Sequence, residues 1–215
     1  MKRIVCLISG RGSNLEAILR TAEAERWATE VPARVVAVIC NRADAAGLAI
    51  SSAHGVPATV IEHQRFASRE EFDARLAETV EEHSPDVVVL AGFMRVLSGG
   101  FVERFAGRLI NIHPSLLPAF PGLATHRQAL AAGVRVHGAT VHFVSSDVDD
   151  GAIIAQAAVA VLPGDSEETL AARVLSREHV LLPRCVRWLC EGKVVLRDGR
   201  SVSRDLSAEA LALLG

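Results

Sequence analysis

The chain contains no apolar run approaching the roughly twenty residues that would span a bilayer. It also lacks any long basic tract, internal repeat or low-complexity segment. Lys and Arg number 23 against 25 Asp and Glu, a formal charge of -2, which removes the bulk attraction expected of a nucleic-acid or anionic-membrane binder. The opening Met1-Lys2-Arg3 is followed by only six apolar-rich residues, too few for a signal segment, and no small-residue cleavage site follows. Cysteine is sparse: Cys6, Cys40, Cys185 and Cys190 form no C-x-x-C pair, and no H-x-x-H or H-E-x-x-H is present, so no metal is expected. These absences point to a soluble, cytoplasmic protein with no nucleic-acid, membrane or metal partner.

What remains is an ordinary globular composition, 50% hydrophobic and 22% charged over 215 residues, enough for one domain with its own core. Apolar, β-branched runs at 4–8, 35–40 and 87–91 read as strands buried on both faces, alternating with helical stretches at 15–24, 43–54 and 68–83. That alternation is the signature of βαβ units and a mostly parallel sheet with helices on both faces. Two Ser-x-x-Glu boxes, Ser13 to Glu16 and Ser68 to Glu71, mark helix starts. Beyond 108 the texture changes: strands at 109–113, 139–144 and 152–161 suggest antiparallel additions, separated by a proline-rich loop and an acidic turn. Asp165 is expected to cap a long helix to about 191, and a hairpin around Asp198-Gly199 should precede a short last helix.

Two stretches carry chemistry. Ser9-Gly10-Arg11-Gly12-Ser13-Asn14 joins the first strand to a helix, where free backbone N–H groups and the helix dipole favour an anion. A bare βα turn has the same form. A dinucleotide fits less well, because Leu15 stands where a third glycine belongs and Cys40-Asn41-Arg42 offers no acid for a ribose; Arg42 and Gly10-x-Gly12 are all that favour an NADP-linked oxidoreductase. No Lys-Ser/Thr pair follows to make a P-loop, so a small phosphomonoester fits best.

The second is Leu109-Ile110-Asn111-Ile112-His113-Pro114. Residues two apart on a strand share a face, so Asn111 and His113 project together at the strand end, where α/β sheets bind ligands. An amide donor beside an imidazole suits a developing oxyanion. A carboxylate should fix the imidazole, and the turn 145–151 offers Asp147, Asp149 and Asp150 without distinguishing them.

Taken together, these segments, with Pro85-to-Ser98 and Gly138-to-Val144, resemble the phosphoribosylglycinamide formyltransferases, folate-dependent enzymes of purine synthesis, from near residue 1 to about 192. The resemblance implies a single Rossmann-like formyltransferase domain over 1–215, with a phosphate-substrate half (1–108), a catalytic and folate half (109–192) and an appendage (193–215). It implies that Asn111, His113 and Asp149 are catalytic and that Gly12, Ser13, Asn14 and Glu178 hold the phosphoribosylglycinamide. It further implies that 10-formyltetrahydrofolate, as co-substrate, is contacted by Arg69, Met94, Arg95, Val96, Leu97, Asn111, Ser145, Ser146, Asp147, Val148 and Asp149. Small-molecule substrates and a monomer or weak homodimer follow from the same likeness. Leu175, Ala124 and Ser146 depart from residues common in that family. Methionyl-tRNA formyltransferases and formyltetrahydrofolate hydrolases look similar in the catalytic half; a further C-terminal or N-terminal domain is expected of them.

Overall fold

The computed structural model describes residues 1–214. Eight strands form one sheet: β1 (Lys2–Ile8), β2 (Ala33–Cys40), β3 (Ala58–Val60), β4 (Val87–Leu90), β5 (Leu109–His113), β6 (Val136–Phe143), β7 (Ile153–Ala160) and β10 (Ala212–Leu214). Their order is β10-β7-β6-β5-β4-β1-β2-β3. Only β6 runs against its neighbours in this sheet; the other pairings are parallel. β1 and β4 are central because their aliphatic residues are buried on both faces.

The helices are α1 (Ser13–Ala24), α2 (Trp27–Glu30), α3 (Gly47–Ala53), α4 (Arg69–Glu82), α5 (Gly99–Arg104), α6 (Thr125–Ala131), α7 (Glu167–Cys190) and α8 (Ala208–Leu211). One face of the sheet is covered by α1 and α7, whose Leu15, Ile18, Leu170, Val174, Leu181 and Cys185 enter one apolar core. The other is covered by α4 and α5 through Phe72, Leu76, Phe101 and Val102. Their apolar residues recur at helical spacing, so each helix buries a single stripe. The chain winds outward from β1 to β3 and then crosses back to β4 on the other side of β1. The crevice therefore opens above the carboxyl ends of β1 and β4, at the switch point of the winding.

Several local expectations needed correction. Helix α1 starts at Ser13 behind Gly12, which adopts φ +79, and it has no side-chain cap. The left-handed glycine turns the chain one residue earlier than a serine cap would, so Ser13 lies inside the first turn and the expected box does not form. At Ser68 half the box forms: its hydroxyl accepts from Glu71 N–H at 3.1 Å, while Glu71 reaches past it to Ala67 N–H. The cap of α7 is Ser166, paired reciprocally with Thr169; Asp165 instead clamps Arg173 with two bonds of 2.7 and 2.8 Å. Helix α3 is shorter than the 43–54 anticipated.

The tail hairpin is present as β8 (Val194–Arg197) and β9 (Arg200–Ser203), with Asp198 and Gly199 both at positive φ as a two-residue turn requires. The tail is nevertheless more than an appendage, because β10 joins the main sheet beside β7.

Candidate active site

The glycine loop is shaped by close packing. A Cβ at Gly12 would lie 2.6 Å from the Gly47 Cα, so α3 pushes the loop flat and leaves room for no larger residue. The loop, the start of α1 and one face of α7 wall a cavity of about 830 Å³ that includes Gly12, Ser13, Asn14 and Glu178. Here the Asn14 side chain donates to Glu178 at 2.7 Å. Burial raises the Glu178 pKa, and the Asn14 bond partly offsets it.

A second cavity, of about 550 Å³, lies over the ends of β4, β5 and β6. Its wall holds Met94, Arg95, Val96 and Leu97 from the loop after β4, Asn111 and His113 from β5, and Ser145, Ser146, Asp147, Val148 and Asp149 from the turn after β6. The two cavities abut, sharing Gly92, Met94, Arg95, Ile112, Pro114 and His126. Each draws residues from both sides of position 108. Arg69 lines neither; it sits at the first turn of α4 with its side chain 3.7 Å from Glu70.

On the wall of the second cavity, next to the shared Ile112 and Pro114, the polar groups form a connected set. His113 Nδ1 is 3.2 Å from Asp149 Oδ2, and His113 Nε2 is 3.0 Å from the Phe120 carbonyl. Both ring nitrogens face acceptors, so only the imidazolium donates to both. Asp149 Oδ2 also accepts from Gly122 N–H at 2.9 Å, which ties the proline-rich loop to the acidic turn. Asp149 itself stands at φ +56, a left-handed conformation that Asp tolerates better than most residues. The turn's three acids are thereby distinguished: Asp149 alone reaches the imidazole.

Asn111 is held by His142, which the sequence suggests only as one of several second-half histidines that could line the cleft. His142 lies directly opposite it in the antiparallel β5–β6 ladder. The His142 Nδ1–H donates to the Phe143 carbonyl at 2.8 Å, which leaves Nε2 to accept from the Asn111 amide at 3.2 Å. Burial lowers the His142 pKa and keeps the ring neutral, as this chain of bonds requires. The amide is thus oriented, with its other N–H and its oxygen left for the cavity. The only sequence signal would have been the β5–β6 register, which a single strand does not reveal.

Residues 2–186 match the formyl transferase family model. The chain belongs to this family. It is 46% identical over 195 residues to a phosphoribosylglycinamide formyltransferase of Escherichia coli (strain K12), covering 91% of this chain and 90% of that one. Its structure superposes on glycinamide ribonucleotide transformylase 1 from Symbiobacterium toebii with a TM-score of 0.90 at 48% identity, covering 95% of each chain. The match to the Drosophila melanogaster trifunctional purine biosynthetic protein adenosine-3, 47% identical, spans 14% of that longer protein. A formyltetrahydrofolate deformylase from Pseudomonas syringae pv. tomato is also similar, with a TM-score of 0.85, 30% identity and 66% of its chain covered. The chain is therefore a formyltransferase, of the phosphoribosylglycinamide type by likeness. Among the described residues, no helix is long and apolar enough to cross a membrane, and no group of three or more His, Cys, Asp or Glu could hold a metal ion.

Proposed function

We propose that this formyltransferase moves the formyl group of 10-formyltetrahydrofolate onto the amine of 5′-phosphoribosylglycinamide, a step of purine synthesis. The observation that carries this reading is the Asn111–His113–Asp149 cluster, set on the wall of one cavity with its chain neighbours Ile112 and Pro114 shared between the two. The glycine-loop cavity would take the phosphorylated amine, with Gly12, Ser13 and Asn14 on its phosphate and Glu178 near the glycinamide. The other would take the folate, the flat faces of whose heteroaromatic ring suit a wall that includes Val96, Leu97 and Val148. Four buried, unbridged cysteines fit a reducing cytoplasm.

In this reading the neutral amine attacks the formyl carbon, a C–N bond forms, and the formyl oxygen takes the charge. The free N–H of Asn111 donates to that oxygen. The His113 imidazolium adds its charge, and its Nε2–H moves from the Phe120 carbonyl to the oxyanion. Asp149 keeps the ring charged and relays a proton through water from the attacking amine to the departing folate nitrogen, which leaves with its electron pair as the C–N bond to it breaks. Holding both reactants at one junction supplies much of the remaining acceleration.

The test is to follow absorbance as the formyl-folate is consumed, with and without the ribonucleotide. Consumption that requires the amine acceptor supports the transfer. Equal consumption in its absence would assign a hydrolase instead, the activity named for the similar Pseudomonas protein.

A further inference from the structure

The loop after β4 has almost no structure of its own. Among the described residues, no backbone-to-backbone hydrogen bond involves residues 93–97. Its shape comes from alternation, with Phe93 and Leu97 7% and 8% exposed while Met94 and Val96, at 69% and 53%, are presented outward beside the cavity. Two side chains from other elements hold its ends. Ser9 Oγ accepts from Met94 N–H at 2.8 Å, and Asp73 Oδ2, on α4, accepts from Ser98 N–H at 2.5 Å.

We propose that Asp73 is a positioning residue that sets the far end of this loop, and through it the wall offered to the folate co-substrate. This rests on the function proposed above. Asp73 is 2% exposed, yet its second oxygen has no partner among the described residues, so the Ser98 bond is the only hydrogen bond this carboxylate makes. A buried acid with a single bond is costly to keep. Nothing within α4 requires it, since that helix is capped by Ser68 and packed by Phe72 and Leu76. The neighbouring residue touches the same loop: the Arg95 guanidinium lies 5.4 Å from the Phe72 ring centre. Two successive residues of α4 thus meet the loop, one through an aromatic face and one through a charge-assisted hydrogen bond.

The test is steady-state kinetics with both substrates, on the wild type first. Absence of transfer there would defeat the proposed function and not this inference. With transfer established, Asp73→Ala should raise the KM for the formyl-folate roughly 10-fold or more, the loss expected of a buried hydrogen bond to a charged group. The kcat and the KM for the phosphorylated amine should stay within about 3-fold. Asp73→Asn keeps an acceptor oxygen and should restore the folate KM to within about 3-fold of wild type. Ser98→Pro removes the donor from the other side, and Ser98 already has φ -70, within the range of proline. It should reproduce the KM rise even if Asp73→Ala fails to fold, and the double variant should add nothing further. An unchanged folate KM in Ser98→Pro or Asp73→Ala overturns the proposal. So does a loss that falls equally on both substrates and on kcat.

Discussion

The two cavities of this enzyme are built by different means. The phosphate-type cavity is made from backbone at a regular strand-to-helix junction, with one left-handed glycine pressed against α3. The folate-type cavity is made from three irregular segments tied by side chains: Ser9 and Asp73 hold one loop, and Asp149 joins the other two through Gly122. Non-glycine residues at positive φ, Phe120, Ala124 and Asp149, cluster on the second side alone of the two. Backbone donors fixed by the fold tolerate surface change, whereas a cavity held by individual hydrogen bonds fails one bond at a time. In the proposed function the catalytic cluster stands on the adjustable cavity's wall, one residue from the boundary with the rigid one.

The sharpest break of this comparison is at the proposed catalytic cluster. Asn111→Ala and His113→Ala should each cost on the order of 100- to 1,000-fold in kcat, while calorimetry shows a melting transition within a few degrees of wild type. Near-normal turnover in either would remove that group from the chemistry. On the backbone side, Gly12→Ala should act through folding. Left-handed Ala costs about 1–2 kcal/mol and the clash with Gly47 adds a comparable amount, so Tm should fall clearly and the KM for the phosphorylated substrate should rise. A variant as stable as wild type would mean that the loop is not held by α3.

Acid should weaken the molecule through buried histidines. Desolvation, with His126 and His113 nearby, lowers the His137 pKa from 6.5 to about 4, and burial lowers those of His126 and His142 as well. The unfolded chain therefore takes up protons first, and stability present above pH 6.5 is lost as pH falls toward about 4. Denaturant melts across that window should show the decline, with roughly 2 kcal/mol of it removed in His137→Gln. A pH-independent midpoint would contradict the burial of these rings.

A smaller effect distinguishes binding from stability at Glu178. Its raised pKa means that the buried charge opposes folding as pH rises above the usual carboxylate range. Glu178→Gln can still accept from Asn14, so it should be more stable than wild type at neutral pH while binding the phosphorylated amine less well. Loss of stability would show that the carboxylate is better paired than its burial indicates. The smallest effect is expected at Arg69, which reaches neither cavity. Arg69→Ala should alter the folate KM by less than about 3-fold, even though the family resemblance implies a contact there; a larger change would mean that the loop after β4 moves to meet it.

Much of this was legible in the residues because it is local. The glycine loop and the Asn111–His113 pair are set by contiguous motifs whose geometry follows from strand and helix periods. The carboxylate was not legible from spacing, since three acids share one turn; the family resemblance named Asp149, and the fold brings it to His113. His142 was hidden for a related reason: its role exists only once β6 pairs with β5 in a particular register. Ser13 misled, because a left-handed Gly12 outranked the cap. β10 was missed because three residues carry no periodic signal and owe their form to the open edge of β7.

The central claim, that one junction passes a formyl group directly between two bound substrates, is tested most directly by tracking the carbon itself. With the formyl group of the folate labelled with ¹³C, NMR of the reaction should show the label appearing on the glycinamide nitrogen in step with folate consumption. Label accumulating as free formate, at a rate indifferent to the amine, would contradict the account.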